Sequence, residues 1–213
     1  AVLESARRLH AAGEPVALAT VVSVRGSSYR RPGARLLVPR DSSPVGLISG
    51  GCLEDEAARF ARRAIEEDIP LLVTIDHSAE GDELWGMGLG CRGVIELLAE
   101  PPAMAAETLD ALRAARVDGR PSYLLTGLDG SRRTLSAAEA DALGERAVLA
   151  VAHGRPTLIG ESVLDPILPP LHFVVCGAGP DAAPLVAAGI RQGWRVDVVD
   201  PRRSWLREER FPG

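Results

Sequence analysis

The chain has 213 residues, of which 46% are apolar and 25% charged, and its formal net charge is −5. That is enough chain for one large domain, or a medium domain with part of another, and enough apolar surface to bury a core. The mild acidity excludes broad binding along a nucleic-acid backbone, which needs a positive field; all 24 basic residues are arginine, which excludes a Schiff-base lysine and a Walker A loop.

In chain order, the first expected element is a helix over residues 1–12, with Val2, Leu3, Ala6 and Leu9 at helical spacing. It has no continuous apolar stretch and no cleavage site, and no run of about 18 apolar residues follows anywhere, so neither a secretion signal nor a membrane span is expected. Cytoplasmic, reducing surroundings are the default. Residues 15–24, 35–39 and 45–49 read as strands rich in Val and Leu. Leu53, Ala57, Phe60, Ala61, Ala64 and Ile65 then recur at the 3.6-residue period, with acids in the first turn and arginines later, as the helix dipole favours. Residues 71–75 and 94–98 are strand candidates flanking a Gly-rich loop over 76–93. A helix follows over 103–116. Residues 122–126 and 147–151 read as strands, with a short helix between them that Ser136 and Glu139 open as a capping box.

Pro166, Pro169 and Pro170 mark a linker, because closely spaced prolines interrupt regular structure. The expected division is therefore an N-terminal domain over 1–161, a Pro-rich linker over 162–170, and a further part over 171–213. That part reads as strand, Gly177-Ala178-Gly179-Pro180-Asp181-Ala182, helix, strand and Asp200. Gly177 permits a tight turn and Gly179 the close approach of a pyrophosphate to a helix N-terminus. Asp200 lies roughly 20 residues beyond the glycines, where an acid bonds a ribose hydroxyl. A nucleotide such as NAD(P) is the implied ligand of Gly177, Gly179 and Asp200. Two strands do not complete a doubly wound sheet, so this part is expected to be incomplete. The fold class is α/β: an N-terminal mixed α/β domain followed by the start of a Rossmann-like doubly wound domain.

Three segments are dense in residues with little use for packing: Arg25 to Arg35, Ile48 to Glu54, and Trp85 to Gly93. Glycines there expose backbone N–H groups, and hydroxyls and arginines add donors, which together suit phosphate oxygens. Gly26, Ser27, Ser28, Arg30, Arg31, Arg35, Gly50, Gly51, Gly88 and Gly90 are the candidate anion contacts. Cys52 precedes a helix N-terminus, a place that favours thiolate, and Cys91 lies in the third loop. Thiolates are soft ligands for a metal such as molybdenum. The three cysteines, widely spaced, form no disulfide framework and no zinc-ligand pair.

These motifs carry a resemblance. Gly26-Ser27-Ser28 through Pro32-Gly33-Ala34, Ser49-Gly50-Gly51-Cys52-Leu53-Glu54, and Gly88-Leu89-Gly90-Cys91 resemble the XdhC/CoxI family, as do Gly177-Ala178-Gly179 with Pro184, Val199-Asp200 and Arg210-Phe211-Pro212. Tyr29 departs from the family pattern, which has proline there, and Arg92 stands where a glycine is common. The resemblance implies an accessory protein that binds molybdenum cofactor, as molybdopterin or its dinucleotide, and protects it during sulfuration. It further implies delivery to a molybdenum hydroxylase of the xanthine or carbon monoxide dehydrogenase type, with a cysteine desulfurase as a further partner and Cys52 before Cys91 as the metal-proximal thiol. Such a protein is a maturation factor and not a turnover enzyme. A homodimer that brings the loops together near a two-fold axis is expected. The alternative is an NAD(P)-dependent oxidoreductase resting on the C-terminal motif.

Overall fold

The computed structural model describes residues 2–76 and 93–211. They fall into two compact units, Ala1–Leu168 and Pro169–Gly213.

The first unit opens with α1 (Val2–Ala11), β1 (Val16–Gly26), β2 (Arg35–Pro39), β3 (Val45–Gly46) and α2 (Glu54–Glu67), then β4 (Leu71–Asp76), β5 (Gly93–Glu100) and α3 (Pro102–Asp118). The five strands form one antiparallel sheet in the order β3-β2-β1-β5-β4. Both faces of β1 are covered, which explains its unbroken apolar run. Successive strand side chains point to opposite faces: Ala17, Ala19 and Val21 pack with Ala57, Ala58, Ala61 and Ala64 of α2. Leu18 packs with Ala6 of α1 and with Ala105 and Leu109 of α3. The small residues of α2 let the helix lie close on the sheet, and Asp68, in the left-handed region at φ 53°, ends it.

A second sheet follows, built from β6 (Ser122–Gly127), β7 (Arg132–Leu135), β8 (Thr157–Ile159) and β9 (Ser162–Ile167) in the order β7-β6-β9-β8. Helices α4 (Ala137–Asp141) and α5 (Glu145–His153) cover it through Ala140, Ala147 and Ala150. The expected capping box is formed, with the Ser136 side chain accepting from Glu139 N–H and Glu139 reaching back to Ser136 N–H. Two sequence expectations are corrected here. Residues 147–151 are helical, not extended: Ala147 and Ala150 are buried while Val148 and Leu149 are exposed, and Gly154 at φ 59° caps the end. A short apolar run fits either period, and here the flanking cap decides it. Residues 162–167 are a strand, not linker. Pro166 is tolerated because β8 pairs with β9 only over Ser162 to Leu164, so one side of Pro166 lacks a ladder neighbour that would need its N–H.

The two sheets of this unit meet along a seam. Val22 and Leu98 from the first pack with Val163 from the second. Beside them lie two ion pairs of opposite polarity. Arg35 of the first sheet reaches Asp165 of the second at 2.8 and 3.0 Å and also donates to Thr20 at 2.8 Å. Glu100 of the first sheet accepts from Arg132 of the second at 2.7 Å and from Thr108 at 2.8 Å.

The second unit comprises β10 (His172–Cys176), α6 (Ala182–Arg191) and β11 (Arg195–Val199), followed by short 3-10 turns at Arg203–Trp205 and Glu208–Arg210. The strands pair in parallel, from His172 opposite Arg195 to Cys176 opposite Val199, giving a βαβ unit. Pro184 lies in the first turn of α6, where a missing N–H breaks no helical bond. Gly189 must be glycine, since a Cβ there would stand 2.8 Å from Val196 Cγ2. Phe173 and Trp194 meet edge to face at 5.8 Å.

Candidate functional site

The topology of the five-stranded sheet gathers the loops. β1 ends at Gly26, β2 begins at Arg35, β3 ends at Gly46, β4 ends at Asp76 and β5 begins at Gly93. Because neighbouring strands are antiparallel, residues 27–34 and 47–53 leave the sheet at the same end, the end at which β4 stops and β5 starts. The third segment named from the sequence carries the expected contacts Gly88, Gly90 and Cys91, which lie outside the described residues.

In the first segment, Gly26 pairs with Gly93, and a Cβ on Gly93 would stand 2.6 Å from Ser27 O. The base of the third segment is thus pressed against the first, in a space only glycine fits. The Ser28 hydroxyl accepts from Arg30 N–H at 3.3 Å and donates to Arg30 O at 3.0 Å, a local turn that fixes the path around Tyr29. Arg30 and Arg31 are exposed. No ion pair joins either of them to another of the described residues. Arg35 is placed differently from the expectation: its guanidinium is held in the seam by Asp165 and Thr20 and is 11% exposed, so it does not extend the pair Arg30 and Arg31.

The second segment is organised by a carboxylate. Glu54 accepts from Ile48 N–H (3.1 Å), Ser49 N–H (2.9 Å) and Leu53 N–H (3.2 Å), and from the Ser49 hydroxyl (2.6 Å). The Ser49 hydroxyl in turn accepts from Gly51 N–H at 3.0 Å and Leu53 N–H at 3.2 Å. Partial burial acts to raise the Glu54 pKa, but the hydrogen bonds from Ser49, Glu54 N–H and Ile48 outweigh it and hold the carboxyl below its ordinary value. Three backbone donors of this turn, Ile48, Ser49 and Leu53 N–H, are therefore taken by the protein's own carboxylate, and Gly51 N–H by the Ser49 hydroxyl. Gly51, at φ 111°, supplies the left-handed residue that the turn requires. Cys52 follows with an exposed thiol, its Sγ 3.8 Å from the Ser49 hydroxyl.

Sequence reasoning names Ser49 and Glu54 within a motif but not as the pair that shapes it. They are five residues apart, a separation outside the capping-box spacing, so no local rule points to them.

The C-terminal glycine turn is organised in the same way. Gly177 is at φ 109°, and its N–H donates to Val199 O at 2.7 Å. Asp200 does not present a free carboxylate to a ribose, contrary to the expectation from its spacing. Its Oδ2 accepts from Ala178 N–H at 2.8 Å and Arg202 Nη2 at 2.7 Å, and its Oδ1 accepts from Arg202 N–H at 2.8 Å and Nε at 2.9 Å. The Arg202 side chain, then the backbone donors of Ala178 and Arg202, hold Asp200 well below the usual carboxylate range. Arg202 and Arg210 stack on the Trp205 ring at 4.3 and 5.1 Å, and Arg210 donates to Gly179 O at 3.3 Å. The acid at this position locks the turn to the end of β11.

Among the described residues no cluster of three or more His, Cys, Asp or Glu could hold a metal ion, and no helix is long and apolar enough to cross a membrane. Among the described residues, the loop end offers chemically the accessible soft donor Cys52 together with exposed guanidinium groups.

Comparison with known proteins agrees with the resemblance carried by the motifs. Residues 9–76, which include the first two loop segments, match the model of the XdhC and CoxI family. The chain is 28% identical over 211 residues to a probable xanthine dehydrogenase component of Bacillus subtilis (strain 168), covering 93% of this chain and 63% of that protein. It is also similar to the crystal structure of a xanthine dehydrogenase from Bacillus halodurans, with a TM-score of 0.71 and 26% identity, covering 100% of this chain and 66% of that one. The chain therefore spans just under two thirds of the length of these relatives.

Proposed function

We propose that this chain is the cofactor-holding part of an accessory protein for a xanthine-dehydrogenase-type molybdenum hydroxylase. The observation that carries this reading is the convergence of the loops at one end of the five-stranded sheet, where an exposed thiol and exposed arginines share a surface. The donor set fits the group. Cys52 is the soft ligand for a molybdenum end, and Arg30 and Arg31 suit a phosphate or dinucleotide tail. Cys91, outside the described residues, is the second thiol candidate. When bound, the cofactor supplies a metal held by a dithiolene pterin. The part of this chain is to hold it, with Glu54 and Ser49 fixing the turn that presents Cys52. Sulfuration with a cysteine desulfurase, delivery to the hydroxylase, a cytoplasmic setting and a homodimer around the loop end belong to the same reading.

The test is pterin content. The wild-type chain, purified from cells that make molybdenum cofactor, is expected to carry pterin, and Cys52→Ala to carry several-fold less. Unchanged pterin in both Cys52→Ala and Cys91→Ala would sink the thiol assignment. Sedimentation of the loaded protein at micromolar concentration reads the dimer, and a clean monomer that retains cofactor overturns a shared site.

The alternative of a nicotinamide-nucleotide oxidoreductase at Gly177 and Gly179 is the less supported reading. Each Asp200 oxygen already accepts two hydrogen bonds within the protein, so a ribose contact there requires Arg202 to let go.

A further inference from the structure

Tyr29 is an aromatic side chain in an unexpected setting. It is 77% exposed, yet its ring is placed against the backbone of another loop. A Cβ built on Gly50 would lie 3.1, 3.3 and 3.5 Å from three consecutive ring atoms, Cδ2, Cε2 and Cγ. Three bonded ring atoms so nearly equidistant from one point mean that the point lies over the ring face, because an in-plane approach to one atom leaves its neighbours much farther away. One face of the Tyr29 ring thus covers Gly50, and the opposite side of this exposed ring is left to solvent.

Both supports of this arrangement are held in place. Gly50 belongs to the turn that Glu54 and Ser49 pin with hydrogen bonds. Tyr29 sits inside the turn closed between Ser28 and Arg30. A large aromatic kept in water beside a fixed backbone gains little for the fold, since most of its apolar surface stays exposed. It does present a flat, preorganised stacking surface, flanked in sequence by exposed Arg30 and Arg31, with exposed Cys52 two positions beyond Gly50. Stacking on such a surface is tolerant of ring substituents and suits planar heterocycles.

We infer that Tyr29 is a positioning residue that stacks on the planar heterocycle of the bound cofactor, and that position 50 is glycine so that the ring can lie there. This rests on the cofactor-holding reading above. It assigns the three parts of a ligand to three kinds of group: thiol to the metal, guanidinium to phosphate, and phenol ring to the heterocycle.

The experiment compares pterin retained per chain, and its rate of loss during gel filtration, for the wild type, Tyr29→Ala, Tyr29→Phe, Gly50→Ala and the Tyr29→Ala/Gly50→Ala double variant. Thermal midpoints serve as the control for folding. Tyr29→Ala is expected to lose pterin roughly tenfold faster, the order expected when an aromatic stacking partner is removed, with an unchanged midpoint. Tyr29→Phe should hold like the wild type. Gly50 has no positive φ, so alanine is allowed there, but its methyl must push the ring aside. Gly50→Ala should therefore show an intermediate loss that disappears in the Tyr29→Ala background. If the wild type retains pterin and Tyr29→Ala retains it equally, the stacking role is wrong while the cofactor-holding reading stands. A wild type without pterin overturns both.

Discussion

Arg31 and Arg35 stand in the same short segment and have opposite fates. Arg35 enters the seam between the two sheets, where it and Arg132 meet Asp165 and Glu100 with side chains 2–11% exposed. Arg31 stays with Arg30 at the loop end, exposed. At the seam every charge faces an opposite charge from the other sheet, and the only buried side-chain atoms left without hydrogen bonds among the described residues are Glu100 Oε2 and Arg132 Nε. At the loop end the one carboxylate that organises the turn, Glu54, takes backbone donors and leaves the guanidiniums alone. The difference teaches what an arginine does in each place. A buried charge must be matched, because an unmatched one costs several kcal/mol. An exposed one is already solvated and remains available to a ligand. The seam joins the two sheets of the first unit, and the loop end is what the unit can offer to another molecule.

The sharpest way to break this contrast is to unmatch the seam. Arg132→Met leaves Glu100 buried without its cation and should cost about 3–5 kcal/mol, read as a lowered urea midpoint. Replacing both partners, Glu100→Leu with Arg132→Met, should recover most of that loss. If the double variant is as unstable as the single one, the seam is held by something other than charge matching.

The next effect is at the loop end. Glu54→Ala strips the acceptor from Ile48, Ser49 and Leu53 N–H and from the Ser49 hydroxyl. The site is only partly buried and water takes up some of the loss, so about 1–2 kcal/mol is expected, together with reduced pterin retention. A normal pterin content in this variant would show that the turn need not be pinned to present Cys52.

The two carboxylates should also answer pH in opposite senses. Burial raises the Glu100 pKa above 4.5, against the pull of Arg132. The folded state then holds this proton to higher pH than the unfolded chain, and stability falls as pH rises from about 4.5 through the folded value. Glu54 is lowered below 4.5. Its contribution is present above that pH and is lost as pH falls through the folded value. Urea midpoints across a pH series should show Glu100→Gln gaining on the wild type as pH rises above 4.5, and Glu54→Gln closing its deficit as pH falls below it. Parallel profiles for the two variants would erase the distinction drawn between the regions.

The smallest effect on stability is expected where the functional effect is large. Arg30→Glu with Arg31→Glu should change the unfolding free energy by no more than about 0.5 kcal/mol, as for surface substitutions generally, while abolishing any binding of pyrophosphate measured by calorimetry. A large stability loss here would mean that these arginines support the fold.

Much is legible in the sequence because it is written at short range. The period of Ala57, Ala61 and Ala64 specifies α2, the Ser136 and Glu139 box specifies the start of α4, and the strand-glycine-helix-strand order specifies the βαβ unit. These rest on contacts within a turn or a pleat. The loop motifs are legible as motifs, and the antiparallel topology then brings their ends together. Weak or short signals fail. Residues 147–151 carry a run compatible with either period. The hairpin of β8 and β9 has only Gly160, at φ 59°, to announce it, and the prolines after it point toward a linker.

What the sequence determined by itself was therefore the inventory: helices, strands, a glycine-rich loop set with one thiol before α2, and a βαβ ending. Tertiary structure alone decided which of those groups are spent and which are open. Arg35 finds Asp165 130 positions away, Glu100 finds Arg132 32 positions away, and Asp200, which the pattern assigns to a ribose, takes the N–H of Ala178 22 positions away. The physical reason is range. Backbone conformation is set by neighbours in the chain, whereas the occupancy of a charge or a hydrogen-bond donor is set by whichever group folding brings beside it.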